Sequence, residues 1–427
     1  MSISPARTAA FDVLLKIERD RSFSSVLLPQ FEARLNDPDK GLCHEIVLGV
    51  LRRKLFLDRF IDARAKGRKL DIEVRTALRI GLFQLLYLDR VPAYSAINES
   101  VELTRRAKKT SAAGFVNALL RGFQRQMPAP AFADEIDRIS AETSHPRWLV
   151  EKWENEFGIE RARSIADANN ETPRLSFRLT GKFTGEPAPQ WERSEAADGA
   201  FLTNGLGSGL KRLADEGEIY FQEEGSQIVS LCAAELTAGR FLDVCAAPGG
   251  KTTLIAERMK KPGMIVAGDL TRSRVELLAD NCRRLGHGSI SVLQYHAESP
   301  LPFAEGTFDT ILVDAPCSGT GTIRHNPELR YLISPEDFAE FYRKQLQILE
   351  NASKLTASNG TLVYSTCSLE VEENERVCEA FLELHPEFNH VRPGVPERFL
   401  TDEGFARTFP DRDKMDGFFI AAFRRAA

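Results

Sequence analysis

The segment Phe241-Leu-Asp-Val-Cys-Ala-Ala-Pro-Gly-Gly-Lys-Thr252 constrains this chain more than any other. A short apolar run breaks into a Gly-Gly turn and passes straight into helix-forming sequence. Such a turn brings backbone N–H groups and a helix N-terminus against a ligand at the edge of a sheet. A phosphate-binding loop of the Gly-x-x-x-x-Gly-Lys-Thr kind requires glycine five residues before Gly250, where this chain has Cys245, so nucleoside triphosphate binding is disfavoured. The turn pairs instead with Asp269, which closes the next apolar run, Gly263-Met-Ile-Val-Ala-Gly-Asp269, at the spacing of about twenty residues used to hold ribose hydroxyls. An adenosine-containing cofactor fits both features.

From residue 220 onward, strand-like segments at 241–245, 264–269, 290–294, 308–313 and 361–364 alternate with helical patterns, which predicts a parallel sheet covered on both faces by helices. Ser334-Pro335 is expected to open a helix that Gly360 ends. Ligands of such sheets lie at the carboxyl ends of the strands. Ala246 to Lys251, Asp269, Asp314 to Ser318 and Ser365 to Ser368 all fall there, so one site is expected to collect them.

The first part of the chain reads differently. Val13, Leu14 and Ile17, then Ile46, Val47, Val50 and Leu51, then Val74, Leu78, Leu82 and Leu85 recur at helical spacing, predicting a helical bundle with turns at Asn36-Asp-Pro38 and Val91-Pro92. Residues 1 to 130 carry 23 Lys and Arg against 14 Asp and Glu, whereas the remainder carries 33 against 47. This asymmetry points to a polyanion-binding module joined to an acidic partner. The bases cluster at Arg52-Arg-Lys54, Lys66-Gly-Arg-Lys69 and Arg105-Arg-Ala-Lys-Lys109. Met127-Pro-Ala-Pro130 closes the bundle; a small α+β subdomain is expected to follow to about residue 220, with a helix near Trp148 to Phe157 and a strand at 174–179.

No apolar run approaches the ~20 residues that span a bilayer, and the first residues lack the apolar core of a signal peptide, so a cytoplasmic protein without membrane attachment is expected. The seven cysteines are odd in number and none has zinc-ligand spacing, which argues against a disulfide framework or a metal site. Cys43, Cys232, Cys282 and Cys378 read as small buried apolar residues.

Cys317 and Cys367 are different. Each lies just past a strand, in Asp314-Ala-Pro-Cys317 and Ser365-Thr-Cys367. A thiolate is the reactive form, and helix-start N–H groups or Lys251 would help it ionise. Cytosine C5 accepts a methyl group only after a nucleophile adds at C6 and turns the ring into an enamine-like carbon nucleophile. An acid such as Asp314 hydrogen-bonding N3 would assist. This chemistry uses a carboxylate and a thiol but does not choose between the two thiols.

Five segments, Asp243 to Thr252, Asp314 to Gly319, Ser365 to Ser368, Glu373-Asn-Glu375 and Asp416-Gly-Phe-Phe419, together make the chain resemble the NOL1/NOP2/Sun family of RNA (cytosine-5) methyltransferases. Leu48 to Arg53 and Phe115 to Arg121 are similar to NusB-like RNA-binding domains. The resemblance implies a multidomain protein: an all-α NusB-like bundle (1–130), a linker with a small α+β subdomain (131–220), and an α/β Rossmann-like class I methyltransferase domain (221–427). It also implies S-adenosylmethionine held by Cys245, Ala246, Ala247, Pro248, Gly249, Gly250, Lys251, Asp269 and Asp314, and RNA, small-subunit rRNA first, as the partner. Cys367 takes the covalent role in this family and Cys317 assists product release. The same catalytic motifs serve tRNA methyltransferases, and a bundle without chemistry would be an RNA-binding or antitermination module. Where the family usually has Gly-Asp to meet the adenine amino group, this chain reads Gln294-Tyr-His-Ala-Glu298, so His296 takes the acid's place. Glu370 and Glu372 are expected to complement a helix start, with Asn374 and Glu375 supporting the Cys367 loop.

Overall fold

The computed structural model describes residues 3–237, 239–259 and 263–427, which divide into two compact units. The first unit comprises the chain up to Glu171 together with His325–Ile333. It begins with α1 (Pro5–Asp20), α2 (Ser24–Glu32), α3 (Asp37–Ala65), α4 (Ile72–Tyr87), α5 (Ala93–Arg106) and α6 (Ala113–Arg125). The apolar residues at helical spacing are buried as that periodicity requires, with Leu85 half-buried. Asn36 starts α3 by accepting a hydrogen bond from the Asp39 backbone N–H at 2.9 Å, with Pro38 in the first turn, where its missing donor costs nothing. Then come α7 (Glu135–Thr143), α8 (Arg147–Phe157) and α9 (Ile159–Ala168).

The basic clusters of this unit have two fates. Lys54 turns inward to Glu18 at 2.6 Å, and Arg53 donates to the Glu142 carbonyl at 3.3 Å. Lys66, Arg68 and Lys69 stay exposed at the end of α3, with the Arg68 guanidinium 5.6 Å from the centre of the Phe115 ring on α6.

The second unit spans Thr172–Arg324 and Ser334–Ala427. It opens with a small antiparallel sheet of β1 (Leu175–Leu179), β2 (Glu192–Arg193), β3 (Ala200–Thr203) and β4 (Ile219–Phe221), ordered β2-β3-β1-β4, with α10 (Ser208–Glu216) before β4. Phe177, Phe201, Leu210, Leu213 and Ile219 form its core. The large sheet contains β5 (Phe241–Asp243), β6 (Ile265–Asp269), β7 (Ser291–Gln294), β8 (Phe308–Asp314), β9 (Thr356–Thr366), β10 (Phe388–Val391), β11 (Ala406–Arg407) and β12 (Phe419–Arg425). Its main path runs β10-β12-β9-β8-β5-β6-β7. Strands β9, β8, β5, β6 and β7 are mutually parallel, as the alternation predicts; β12 and β10 add an antiparallel margin. Helices α11 (Glu224–Leu236), α12 (Gly250–Arg258), α13 (Arg272–Arg284), α14 (Asp337–Leu355) and α15 (Glu375–Leu384) accompany them.

Two local expectations are corrected. Helix α14 starts at Asp337 rather than at Pro335, because the Asp337 carboxylate accepts from the Ser334 N–H and hydroxyl. It ends at Leu355, and the chain enters β9 at once, so Gly360 lies inside a strand and not at a helix end. The pairing of β8 with β9 shifts register between Phe308 and Thr310, which absorbs this irregular start.

Candidate active site at the strand ends

The sheet order places β6, β5, β8 and β9 side by side, so their carboxyl ends form one rim. Each delivers part of the predicted set. The β5 end turns through a cis Ala247–Pro248 bond and Gly249, whose φ of 104° suits a residue without a side chain, into α12. Asp269 at the end of β6 ties this turn down. Its Oδ2 accepts from the Ala247 N–H (3.0 Å) and Arg274 Nη2 (3.1 Å), and its Oδ1 from the Leu270 N–H (2.8 Å) and Arg274 Nε (2.7 Å). Asp314 at the end of β8 accepts from Lys251 Nζ through Oδ2 and from the Ser365 hydroxyl through Oδ1, each at 2.8 Å, and so links β8, β9 and α12.

A cavity of about 430 Å³ opens onto this rim. Cys245, Ala247, Asp269, His296, Asp314, Cys317 and Cys367 line it, together with Leu270, Arg274, Glu298 and Ile348. Of the predicted residues, Ala246, Pro248, Gly249, Gly250 and Lys251 are not among those that line it; they form the turn and the first residues of α12. Ala246 and Gly250 are buried, and a Cβ on Gly250 would stand 2.7 Å from the Tyr220 ring. Arg274 and Glu298 escaped sequence reasoning. Glu298 sits two residues past His296, 4.0 Å from its Nε2, and brings a carboxylate to the same stretch of cavity wall. Arg274 had the signature of any exposed helix base.

The two thiols meet here. Cys317 Sγ and Cys367 Sγ lie 3.2 Å apart although 50 residues separate them. That contact, burial, and the charges of Cys367 and Glu373 push the Cys317 thiol well above its ordinary range, which keeps it protonated. Burial works to discharge Lys251, but Asp314, with Cys367 and Asp243, outweighs it and holds the ammonium above its ordinary value. The Lys251 ammonium, fixed by Asp314, thus interacts electrostatically with Cys367. Cys245 is pushed well up by burial and by Asp243, Asp269 and Asp314, so it lines the wall as a neutral thiol. Cys43, Cys232, Cys282 and Cys378 are free and buried, as their sequence context suggests.

The acidic stretch after Cys367 differs from expectation at its start. Glu370 is fully buried and precedes a single 3-10 turn, Val371–Glu373, so it does not complement an exposed helix start. Asn374 holds the Cys367 loop directly, accepting from the Thr366 hydroxyl (2.5 Å) and donating to the Ser368 carbonyl (2.9 Å). Glu375 acts through Arg407, which it pairs with at 2.9 Å and which also donates to the Leu369 carbonyl.

A strand-end rim with a glycine turn, an acid after the second strand and an open cavity of this size fits the Rossmann-like class of adenosine-cofactor enzymes, to which the S-adenosylmethionine-dependent methyltransferases belong. The family model described as 16S rRNA methyltransferase RsmB/F matches residues 232–424, the NusB family model matches 4–125, and an RsmF/B-like ferredoxin-like domain matches 145–181. The chain is 34% identical to the probable ribosomal RNA small subunit methyltransferase B of Bacillus subtilis over the whole of both chains. It is 32% identical to the ribosomal RNA small subunit methyltransferase B of Salmonella typhi, covering 97% of this chain and 96% of that one. The crystal structure of PH0851 superposes over all of both chains with TM-score 0.85 at 26% identity. A methyltransferase homologue from Pyrococcus horikoshii covers 70% of this chain and all of its own, with TM-score 0.58 at 28% identity. The chain belongs to the ribosomal RNA small subunit methyltransferase B family, and with it to the S-adenosylmethionine-dependent RNA methyltransferases.

Proposed function

We propose that this protein methylates C5 of a cytosine in 16S rRNA through a transient bond between Cys367 and C6 of the base. The observation that carries this reading is the pair of thiols 3.2 Å apart on the wall of the cavity, with Lys251, held by Asp314, in electrostatic reach of Cys367.

The cavity suits S-adenosylmethionine by its donor set. Carboxylates of Asp269, Asp314 and Glu298 face a cationic ligand, and Leu270, Pro316 and Ile348 offer apolar walls to an adenine ring. Asp269 would hold the ribose hydroxyls. Both its oxygens already carry two donors, so the half-exposed Arg274 side chain is the partner that gives way. His296 and Glu298 would receive the adenine amino group, and the turn from Cys245 to Lys251 the remainder of the cofactor. Bound there, S-adenosylmethionine supplies an electrophilic methyl group on a sulfonium.

Cys367 as thiolate, with Lys251 near its sulfur, adds to C6. Asp314, in its protonated form, donates to N3, drawing electrons toward that nitrogen as sulfur adds at C6 and so leaving C5 as an enamine-like nucleophile. Once C5 carries the methyl group, solvent water takes the C5 proton, the C–H electron pair re-forms the C5–C6 double bond, and the C6–S bond breaks with its electron pair returning to sulfur. Cys317 is the protonated partner at 3.2 Å that assists this release. The target base must leave its stack to be reached. Residues 1–130 bind the RNA, with Lys66, Arg68 and Lys69 among their exposed bases, 131–220 connect, and 221–427 carry the chemistry. The free thiols throughout the chain suit a reducing cytoplasm.

Incubating small-subunit rRNA, and separately tRNA, with methyl-labelled cofactor and digesting to nucleosides tests the target. Label in 5-methylcytidine from the rRNA is expected. Label confined to tRNA or to another nucleoside would overturn the proposal.

A further inference from the structure

The Cys317 and Cys367 loops follow neighbouring strands and already touch: the Ser318 and Ser368 hydroxyls lie 3.1 Å apart, and the Gly321 N–H donates to the Cys367 carbonyl at 2.9 Å. Glu373 adds one buried group that holds both loops at once. Its Oε1 accepts from the Ser318 hydroxyl and from the Ser368 hydroxyl (2.5 Å); its Oε2 accepts from the Ser318 backbone N–H and from Gln345 Nε2, each at 2.9 Å. Ser318 follows Cys317 and Ser368 follows Cys367, so one carboxylate grips the residue after each thiol. Gln345 extends the grip to the other side of Cys317, donating to the Pro316 carbonyl at 3.0 Å. The Glu373 carbonyl in turn accepts from the Tyr364 hydroxyl at 2.6 Å, which anchors the clasp to β9. Glu373, Ser318, Ser368, Gln345 and Tyr364 are all buried. A carboxylate accepts and never donates, and four donors converge on this one, so both oxygens are fully used.

We propose that Glu373 is a positioning residue that locks the two thiol loops into one body, holding Cys317 against Cys367 for the release of the methylated product. This rests on the two-thiol reading above. A displacement of about 1 Å between reacting groups costs on the order of a hundredfold in rate, so loosening either loop should slow release far more than it weakens cofactor binding.

The substitutions separate geometry from charge. In Glu373→Gln the amide oxygen can face the Ser318 N–H and Gln345, while its NH₂ meets two hydroxyls that can rotate to accept; the clasp persists. In Glu373→Ala it is gone. The first readout is cross-linking by diamide, in which the two thiols surrender two hydrogens to the azo bond and form a disulfide, followed by mass spectrometry of the Cys317–Cys367 peptide. Glu373→Ala is expected to cross-link at least about tenfold more slowly than wild type, and Glu373→Gln within about threefold of it. The second is single turnover on unmodified RNA, where Glu373→Ala should accumulate the covalent protein–RNA complex and Glu373→Gln should not. Should Glu373→Ala fail to fold, Ser318→Ala/Ser368→Ala keeps the carboxylate and removes the side-chain arms, and must show the same slowing.

Wild-type cross-linking and release rates in the Ala variant, or in the double variant where that one is unfolded, would overturn the proposal. Slowed cross-linking in a protein whose wild-type form makes no adduct with RNA would instead sink the covalent reading and leave the clasp standing.

Discussion

Cys317 and Cys367 follow adjacent parallel strands, each precedes a serine, and each lines the same cavity, yet their surroundings set them apart. Around Cys317 the neighbours are another thiol, a buried carboxylate and apolar walls, all of which favour the protonated form. Cys367 has the Lys251 ammonium close by. Identical residue types at equivalent strand ends therefore acquire different chemistry from the third and fourth elements packed against them, α12 with its lysine and the turn before α15 with Glu373.

The contrast breaks most severely at Lys251. Lys251→Met removes the cation and leaves the partly buried Asp314 with only the Ser365 hydroxyl. It should cut methyl transfer by about 10³-fold and slow alkylation of Cys367 by iodoacetamide, while Cys317 stays unreactive. Equal loss of reactivity at both thiols, or at neither, would remove the asymmetry from the lysine.

Asp243 sharpens the comparison from the neighbouring strand. Burial pushes its carboxyl up to about 7, against a hydrogen bond from Thr252 at 2.6 Å that works in the opposite direction. A group whose folded value is raised stabilises the fold fully below its unfolded value near 4 and loses that contribution as pH rises through the folded value. Relative to wild type, Asp243→Asn should therefore gain stability between pH 4 and 7, by at most about 1.4 kcal/mol per pH unit. Denaturant melts at pH 5 and pH 8 measure this, and parallel pH profiles for both proteins would contradict it.

The smallest effect is expected in the helical unit, where no reactive group is involved. Replacing Lys66, Arg68 and Lys69 with Gln should weaken RNA binding about fivefold at 0.15 M salt and lower the slope of log K against log salt by about 2. An unchanged slope would move the phosphate contacts elsewhere.

Much of this was legible in the sequence where one residue sufficed to declare a local geometry. Periodicity located the helices of the bundle, because a packed face repeats at helical spacing whatever it packs against. The Gly-Gly turn, Asp269 and the two strand-end cysteines announced the rim, since the order of strand and helix alone brings strand ends together. Unreadable features depended on distant partners. Glu370 reads as an acid at a helix start and Glu373 only as part of a family segment, because the serines, glutamine and β9 that enclose Glu373 lie from 5 to 55 residues away. Glu298 was passed over because alignment with a motif favoured His296, whereas the cavity wall includes both side chains. Arg274 reads as a surface base until Asp269 is seen between it and the turn. The return of His325–Ile333 to the helical unit is likewise silent: its anchor is Arg330, donating to the Thr143 carbonyl and the Asn170 side chain at 3.0 Å each, partners more than 150 residues earlier.

The most direct test of the account is covalent trapping on RNA carrying 5-fluorocytosine, with wild type, Cys367→Ser and Cys317→Ser compared in the presence of S-adenosylmethionine. Wild type and Cys317→Ser should form an adduct that survives denaturing electrophoresis, and Cys367→Ser should form none. An adduct that persists without the Cys367 sulfur and disappears without that of Cys317 would contradict the assignment on which the proposed chemistry rests.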